Sequence, residues 1–340
     1  MREGRRAVTN GSAKQARIND VARHAGVSLS TVSRVMNDNP TVDPALAERV
    51  RAAAAELGYT ASPLARSLVL GRTQTVAVVV PDLGNPTFQA VLRGLSRAAA
   101  ADGYHVLIAD SAEQVQEERL LAVETRRRTD GLILCAPRMP DDDLASLLPQ
   151  VEPVVLVNRA LDEAPAVSAD YGSALRGLAE HLHKLGHRRI VYLAGVARSA
   201  SNAARVAALD DFRAAHPDVS LTQLASGVDF DSGAAAADAV IATGATGVLA
   251  FNDLVAMGLL SALADRGVHV PDDVSITGFD DIPFAQYTSP PLTTASVPAA
   301  ELGALAWQAM NASLSGQDAA APVRLAPEVV LRGSSGPAPV

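Results

Sequence analysis

Apolar residues between positions 17 and 61 recur at helical spacing in two short blocks. The first block predicts a helix over residues 20–25, and the second predicts a helix over residues 29–37. Gly26 lies between them, where a turn favours a residue that readily adopts positive φ, and Ser28 can cap the second helix. The side chains expected to face inward are Val21, Ala22, Ala25, Val27, Val32 and Val35. The pattern predicts a helix-turn-helix, with an ordinary helical hairpin as the alternative.

A polar face remains on the outside of the second helix. In a DNA-binding helix-turn-helix, the N-terminal part of the second helix enters the major groove. The outward residues that could read base edges there are Leu29, Ser30, Ser33 and Arg34.

A third helix is predicted after Asp43, an N-cap that is followed by proline at the first helical position. Gly58 marks its end, and residues 46, 50, 53, 54 and 57 form one apolar stripe. We interpret it as an amphipathic helix that packs against the first two.

A second pair of N-cap and proline, Ser62 and Pro63, opens a short segment that ends at Leu68. Residues 62–68 are far fewer than the roughly 12–15 that an isolated helix needs in water. We expect a hinge helix that forms only when it is held, with Leu68 as an apolar wedge in the minor groove of DNA. A disordered linker is the alternative.

Beyond residue 73, short apolar runs alternate with longer helical stretches. The runs are typical of parallel strands that are buried on both faces. The alternation predicts an α/β body of two doubly wound parallel-sheet lobes. The strands are expected at residues 76–80, 105–109, 132–134, 154–157, 190–194, 247–251 and 274–277, and the helices at 88–101, 171–185, 202–215, 254–266 and 298–314.

Polar side chains follow several of these strands, and ligands of doubly wound sheets bind beyond the carboxyl ends of the strands. Residues 81–88 follow the first strand, and Asn252 and Asp280 follow later ones. Arg205 lies near the start of a helix rich in small residues, where its guanidinium could bind a hydroxyl pair or a carboxylate. For Arg205, Asn252 and Asp280 internal salt bridging is the alternative. We expect the neighbouring Asp253 and Asp281 to cap the segments that follow them.

Charge is segregated along the chain. The whole chain carries 29 basic and 37 acidic residues, a net charge of −8. Residues 1–72 have a net charge of +5 and residues 73–340 a net charge of −13. A basic head attracts phosphate, whereas an acidic body is repelled by it.

Several motifs resemble the lactose-repressor and galactose-repressor family of bacterial transcriptional regulators over nearly the whole chain. In the head they are Asp20-Val21-Ala22, Ala25-Gly26-Val27-Ser28, Thr31-Val32-Ser33-Arg34-Val35 and Ala65-Arg66-Ser67-Leu68. In the body they are Leu185-Gly186-His187-Arg188-Arg189-Ile190, Asn252-Asp253, Val270-Pro271-Asp272-Asp273-Val274-Ser275, Gly278-Phe279-Asp280-Asp281-Ile282-Pro283 and Pro291-Leu292-Thr293-Thr294. Arg17 departs from the pattern, because the family usually has threonine or serine before the first helix; Asn19 is an alternative cap.

The resemblance implies a periplasmic-binding-protein-like body and assigns roles to residues. The lobes would divide near residue 160, with further chain crossings near residues 290 and 325. The implied DNA-contacting residues are Leu29, Ser30, Thr31, Ser33, Arg34, Asn37 and Leu68. The implied effector-contacting residues are Asp82, Asn85, Phe88, Arg205, Asn252 and Asp280. Phe230 and the pair Asn158 and Arg159 are weaker candidates.

Other classes of function are disfavoured by the residues. There is no Walker or dinucleotide glycine loop and no Gly-x-Ser-x-Gly elbow, so we expect neither an enzyme nor a cofactor. The histidines at 181, 183 and 187 favour a solvated face over a metal site. Cys135 is alone, lies in an apolar run and is expected in the core. No apolar stretch is long enough to cross a membrane and no signal core follows the basic N-terminus, so we expect a cytoplasmic protein.

These patterns and the resemblance predict a dimeric, ligand-responsive transcriptional repressor that binds a pseudo-palindromic DNA operator. A sugar or sugar derivative as effector is what the resemblance and the polar residues of the cleft imply. There are two alternatives. One is a solute-binding transport receptor, and the other is an effector-dependent activator or corepressor-type regulator. The predicted organisation is a basic, disordered arm (1–16), the helix-turn-helix domain (17–61), the hinge helix and linker (62–72), the two-lobed effector and dimerisation domain (73–332) and a flexible tail (333–340). The tail carries no leucine heptads for a coiled coil.

Overall fold

A computed structural model describes residues 16–37, 39–60, 71–317 and 321–339 of the protein. The chain divides into two compact units, a head up to Thr73 and a body from Gln74 onward. The predicted hinge helix, Leu68 and the N-terminal arm up to residue 15 lie outside the described residues. Helices and strands are numbered below in chain order.

Three helices are described in the head, namely α1 (Ile18–Ala25), α2 (Leu29–Met36) and α3 (Pro44–Glu56). They enclose a small apolar core in which Val21, Val32 and Val50 have no exposed surface. Gly26, with φ of 64°, ends α1 in the left-handed region and turns the chain toward α2. The helix-turn-helix predicted from the apolar spacing is present.

Side-chain caps hold the starts of two of these helices. Ser28 Oγ accepts a hydrogen bond from the Thr31 N–H (3.2 Å), and Asp43 Oδ1 accepts one from the Leu46 N–H (3.0 Å). At α1, the Arg17 N–H donates to Asp20 Oδ2 at 3.0 Å. The suggestion that Asn19 caps α1 is wrong, because Asn19 lies inside the helix.

Lobe 1 of the body is built on a six-stranded parallel sheet in the order β11-β5-β4-β3-β1-β2. Alternate side chains of β1 enter apolar cores on opposite faces of this sheet, as a doubly wound fold requires. Its strands are β1 (Thr75–Val80), β2 (His105–Asp110), β3 (Gly131–Cys135), β4 (Val154–Val157), β5 (Ala166–Ala169) and β11 (Val323–Leu325).

Lobe 2 is built on a four-stranded parallel sheet in the order β7-β6-β8-β9, and a separate antiparallel pair joins β10 and β12. Its strands are β6 (Arg189–Ala194), β7 (Ser220–Ala225), β8 (Gly247–Ala250) and β9 (Ser275–Thr277), and the antiparallel pair is β10 (Thr294–Ser296) and β12 (Glu328–Val330).

Nine α-helices are described in the body. Those of lobe 1 are α4 (Pro86–Ala101), α5 (Val115–Arg126), α6 (Asp141–Leu147) and α12 (Ala299–Leu314). Those of lobe 2 are α7 (Tyr171–Lys184), α8 (Ala200–Ala215), α9 (Phe230–Ala235), α10 (Ala237–Ala242) and α11 (Asp253–Asp265).

The helices α4 and α12 pack backbone to backbone through reciprocal glycines. A Cβ added to Gly94 of α4 would lie 1.9 Å from the Ala300 carbonyl oxygen, and one added to Gly303 would lie 2.0 Å from the Val91 carbonyl oxygen. Larger residues at either position would force the helices apart. The return of α12 to lobe 1 is therefore fixed by close contact.

The division between the lobes differs from the expectation of a boundary near residue 160. Because β5 belongs to the sheet of lobe 1, the chain leaves that lobe only after Ala169. It returns between β10 and α12, and it crosses again between β11 and β12. The expectation of strands buried on both faces is wrong for β2, an edge strand with exposed side chains.

The flexible tail expected after Arg332 is wrong for residues 333–339, which lie against lobe 2. Ser334 is fully buried. Its Oγ donates to the Ile276 carbonyl (2.6 Å) and accepts from the Thr293 N–H (2.8 Å). The Ala338 N–H donates to the Leu185 carbonyl at 2.8 Å. The hydrogen bonds that this segment makes at the edge of β9 outweigh the conformational entropy that a short, glycine-rich and proline-rich segment loses when it is ordered.

Candidate functional site

A cleft between the two lobes collects four of the six predicted effector residues: Asn85, Phe88, Arg205 and Asp280. The space in it that is open to a water-sized molecule is about 40 Å³, whereas pockets for drug-sized ligands measure about 300–1,000 Å³. The lobes therefore lie close together, and a ligand of sugar size needs the cleft to widen.

Arg205 is the central cation of the cleft. It is only 2% exposed, and its guanidinium carbon lies 4.1 to 4.6 Å from the ring centroids of Phe279, Phe251 and Tyr171. Its Nη1 donates to Ser201 Oγ at 3.0 Å, but its buried Nε has no hydrogen-bond partner among the described residues. An unsatisfied buried donor costs about 1–3 kcal/mol, so an acceptor that reached this N–H on entering the cleft would remove that cost.

Asp280 joins the two walls of the cleft. Its Oδ2 accepts a hydrogen bond from Thr87 Oγ1 of lobe 1 at 2.8 Å. Burial raises the pKa of Asp280 from 3.8 to about 6, opposed by the charge of Arg205 and by the Thr87 hydroxyl. Its φ is 107°, a conformation that L side chains rarely adopt, and such strain is common at ligand-binding sites.

Asn252 stands behind the cleft wall rather than in it. Its Oδ1 caps α11 by accepting from the Val255 N–H (2.9 Å), and its Nδ2 donates to the carbonyl of Val228, a lining residue (2.8 Å). In this structure its amide is engaged by the protein backbone. Asn252, not Asp253, provides the cap of α11.

Asp253 is the first residue of α11 and is fully buried. Its carboxylate accepts hydrogen bonds from the Ile282 N–H (2.8 Å) and from Thr294 Oγ1 (2.6 Å). Burial, reinforced by the charge of Asp280, raises the pKa of Asp253 well above 3.8. Asp253 thus anchors the loop that presents Asp280.

At the start of α4, Asn85 Oδ1 accepts from the Thr87 N–H at 2.9 Å and so caps the helix while lining the cleft. Asp82 Oδ1 accepts from the Gly84 N–H at 2.7 Å. Asp82 therefore shapes the turn before α4 and is not among the residues that line the cleft.

Four further lining residues with charged or aromatic side chains were not predicted from the sequence: Glu113, Arg138, Tyr171 and Phe251. Arg138 is 5% exposed and forms a two-pronged ion pair with Glu113, Nε to Oε2 and Nη2 to Oε1, both at 2.8 Å. Glu113 follows β2, Arg138 follows β3 and Phe251 follows β8. The strand-end rule that found Asn85 and Asp280 would have found these three as well.

The weaker candidates have diverse positions. Asn158 lines the cleft, and its Oδ1 accepts from the Ala169 N–H at 3.1 Å. Arg159 pairs with Asp141, and Phe230 is 46% exposed and outside the cleft lining. The expectation that Asp281 caps the following turn is wrong, because its Oδ1 pairs with Arg332 Nη2 at 2.7 Å.

The second helix of the head, α2, presents three of the predicted DNA-contacting side chains to solvent. Leu29 is 48% exposed, and Ser30 and Arg34 are exposed as well. The Arg34 guanidinium has no hydrogen-bond or ion-pair partner in the described part of the chain, so it is free to bind a base edge or a phosphate.

The other predicted contacts on α2 are partly engaged. Thr31 and Ser33 are half-buried, and Thr31 Oγ1 lies 2.9 Å from Ser28 Oγ. Asn37 Nδ2 donates to the Ser33 carbonyl at 2.8 Å and closes the end of the helix. These residues shape α2 in this structure, and their part in DNA contact stays a prediction.

His181, His183 and His187 do not converge on one point in the described structure. His181 lies 3.0 Å from Ser335 Oγ, and His183 lies 3.3 Å from Asp218 Oδ2. His187 is fully buried between Thr246 Oγ1 and the Gly336 carbonyl, each at 3.0 Å.

Cys135 is buried in the core as expected. Among the described helices, none is both long and apolar enough to cross a bilayer.

Comparisons with known proteins agree with both units. The family described as "Bacterial regulatory proteins, lacI family" matches residues 17–62, and "Periplasmic binding protein-like domain" matches residues 179–335. The "HTH-type transcriptional repressor CytR" of Escherichia coli (strain K12) is 33% identical over 328 residues, which cover 94% of this chain and 96% of that protein. The "HTH-type transcriptional regulator GalR" of Salmonella typhimurium (strain SL1344) is 36% identical and covers 83% of this chain and 85% of its own length.

Solved structures resemble the chain over nearly its full length. The lac repressor dimer bound to operator and the anti-inducer ONPF has a TM-score of 0.86 at 25% identity, covering 95% of this chain and 100% of that one. A transcriptional regulator CelR–cellobiose complex has a TM-score of 0.67 at 28% identity, covering 94% and 99%. The predicted fold class is confirmed, and so is the prediction of a transcriptional regulator rather than an enzyme.

Proposed function

Because the chain belongs to the lacI family of bacterial regulatory proteins, we propose that it is a homodimeric repressor whose operator affinity changes when a small molecule binds between the lobes of its body. The observation that carries the effector part of this proposal is Arg205, buried in the cleft with an unpartnered Nε–H.

On the DNA side, α2 supplies a guanidinium, a hydroxyl and an apolar side chain on one exposed face, from Arg34, Ser30 and Leu29. Arginine binds guanine O6 and N7 through two hydrogen bonds, and an apolar side chain contacts the thymine methyl group. One head of this size reads one half-site, so two heads related by two-fold symmetry read a pseudo-palindrome. We place Leu68 in the minor groove on the sequence argument alone.

On the effector side, the cleft offers both signs of charge within one small space. Arg205 and the Asn85 amide can donate to ligand oxygens, and Asp280 can accept from ligand hydroxyls. Phe88, Phe251 and Tyr171 supply apolar surface of the kind that packs against a sugar or nucleoside ring. A sugar or sugar derivative fits this combination, and the name of the related CelR–cellobiose complex supports it.

An effector alters operator affinity only if it binds one arrangement of the protein more tightly than another. The hydrogen bond between Thr87 and Asp280 differs between closed and separated lobes, because it joins residues of lobe 1 and lobe 2. A ligand that replaces or reinforces this bond therefore has a differential affinity. We also propose a cytoplasmic location, since the chromosomal DNA that such a regulator binds lies there.

The test starts by selecting an operator from a random duplex pool with the full chain. A thermal-shift screen of sugars, sugar phosphates and nucleosides then identifies the effector, and fluorescence anisotropy measures operator affinity with and without it. We expect Arg205→Lys to lose the effector response while binding operator as the parent does. Arg213→Lys, an exposed arginine on the same helix α8, is the matched control.

Three results decide the proposal. No sequence preference in the selected pool would overturn the regulator function, and a response retained at parental ligand concentration by Arg205→Lys would remove Arg205 from the site. A ligand that raises operator affinity would show corepression in place of induction.

A further inference from the structure

Three metal-binding side chains converge on lobe 2, away from the cleft. Glu180 and His183 lie one turn apart on α7, and His216 is the residue that ends α8. One ligand atom from each lies within 4.8 Å of the others. The three side chains are 19% to 34% exposed, so the group is accessible to ions from solvent.

The two imidazoles face each other, with ring centroids 4.1 Å apart and an interplanar angle of 42°. His216 Nε2 lies 2.9 Å from Glu180 Oε1. A tetrahedral ion with bonds of 2.0–2.2 Å holds its ligand atoms about 3.3–3.5 Å apart. Small rotations of these side chains therefore suffice to surround one ion.

A second carboxylate lies beside the group. Asp218 Oδ2 is 3.3 Å from His183 Nε2 and also pairs with Arg188 Nε at 2.6 Å. Metal-binding histidines almost always donate their other ring N–H to a carboxylate, a backbone carbonyl or water, which fixes the orientation of the ring. Asp218 is placed to orient His183 in this way.

From this arrangement we propose that Glu180, His183 and His216 form a site for a divalent transition metal such as Zn²⁺, with water as the fourth ligand. Two imidazoles and one carboxylate suit zinc, nickel or copper and disfavour magnesium and calcium, which prefer oxygen ligands. The sequence pointed instead to His181, His183 and His187 and favoured a solvated face. In the structure only His183 of those three belongs to the group, and its other members are Glu180 and His216.

The site joins two helices that also reach the cleft. α7 begins at Tyr171, and α8 carries Ser201 and Arg205 near its start. An ion at the C-terminal ends of these helices holds them together at the end away from the cleft. Bound metal is therefore expected to raise the unfolding temperature of the body.

The experiment titrates Zn²⁺ into tag-free, chelator-treated full chain by isothermal titration calorimetry. We expect one Zn²⁺ per chain, and at least about tenfold weaker binding for His183→Ala and for His216→Ala, because each removes one of three protein ligands. His269→Ala removes an exposed histidine elsewhere in lobe 2 and is the control. Co²⁺ substitution should give the visible absorption of a tetrahedral site in the parent and not in His183→Ala.

The proposal is overturned if the parent binds no stoichiometric zinc, if both histidine variants bind zinc as the parent does, or if Mg²⁺ binds equally well. Unfolding curves of the metal-free variants check that each is folded. Glu180→Gln and His216→Gln, which keep side-chain size and polarity, decide the question if an alanine variant does not fold.

Discussion

Replacing Asp280 with asparagine removes a charge whose burial costs the folded protein free energy. The pKa of Asp280 is raised from 3.8 to about 6, chiefly because burial disfavours the charged form. Between these two pH values the folded protein binds more protons than the unfolded chain, so stability falls as the pH rises from 3.8 to about 6. The cost is absent below pH 3.8 and complete above pH 6.

The size of the effect follows from the difference of about 2 in pKa. At 1.36 kcal/mol for each pKa unit it amounts to about 3 kcal/mol. Asparagine has nearly the same shape, does not titrate and tolerates positive φ. Asp280→Asn is therefore expected to be more stable than the parent by up to about 3 kcal/mol at pH 7 and nearly equal to it at pH 4. The charge of Asp280 also raises the pKa of Asp253, so its removal acts in the same direction there.

Urea unfolding between pH 4 and pH 7.5 measures this difference. Trp307 is the single tryptophan and reports on lobe 1, while circular dichroism reports on the whole chain. Urea also limits aggregation near the isoelectric point of about 5.4. Asp272→Asn, at an exposed carboxylate of lobe 2, is the control and should give a profile parallel to that of the parent. Parallel profiles for Asp280→Asn and the parent, or a variant less stable at pH 7, would refute the reasoning.

Three further outcomes are expected. Arg34→Ala should weaken operator binding by about 1–3 kcal/mol with little change on scrambled DNA; an equal loss on both, by anisotropy titration, would make Arg34 a phosphate contact. Effector affinity should fall as the pH drops below about 6, where Asp280 becomes protonated and accepts fewer hydrogen bonds from ligand hydroxyls; calorimetry at pH 5.5 and 7.5 checks this, and an unchanged affinity speaks against an ionised Asp280 in the site. Ser334→Ala should lower the free energy of unfolding by about 1–3 kcal/mol, because the Thr293 N–H and the Ile276 carbonyl lose a buried partner; a truly loose tail would show no change in urea unfolding.

Periodicity predicted seven of the described strands, including the edge strands β2 and β9, but it missed the edge strands β7 and β11 and the interior strand β5. β1, β3 and β4 have buried apolar runs that mark them directly in the sequence. β7 is an edge strand that includes Thr222 and Gln223, and its partly exposed residues do not alternate clearly. A strand with a continuous apolar run is marked in the local sequence, whereas a strand such as β7 is specified by pairing with a neighbour that the local sequence does not reveal.

The cleft residues show a similar limit. Position after a strand located Asn85 and Asp280 correctly, because the carboxyl ends of parallel strands meet at one edge of a sheet. It did not distinguish Asn252, whose amide is engaged by the backbone at 2.8 and 2.9 Å, from a side chain that points into the cleft. Nor did it find Tyr171, because the strand that precedes it, β5, was not predicted. The direction of a side chain depends on packing partners distant in sequence.

The repeated crossing of the chain between the lobes has a consequence for synthesis on the ribosome. The Trp307 indole N–H of α12 donates to Asp102, 205 residues earlier, and β11 completes the sheet beside β5. When residues 74–169 leave the ribosome, the face of α4 that receives α12 is still uncovered, because residues 299–314 have not yet been made. One apolar core of lobe 2, in contrast, is formed entirely by residues 191–292. Lobe 1 is thus made first but completes its core only after α12 and β11 have been made, so its nascent apolar surface needs protection from aggregation in the meantime.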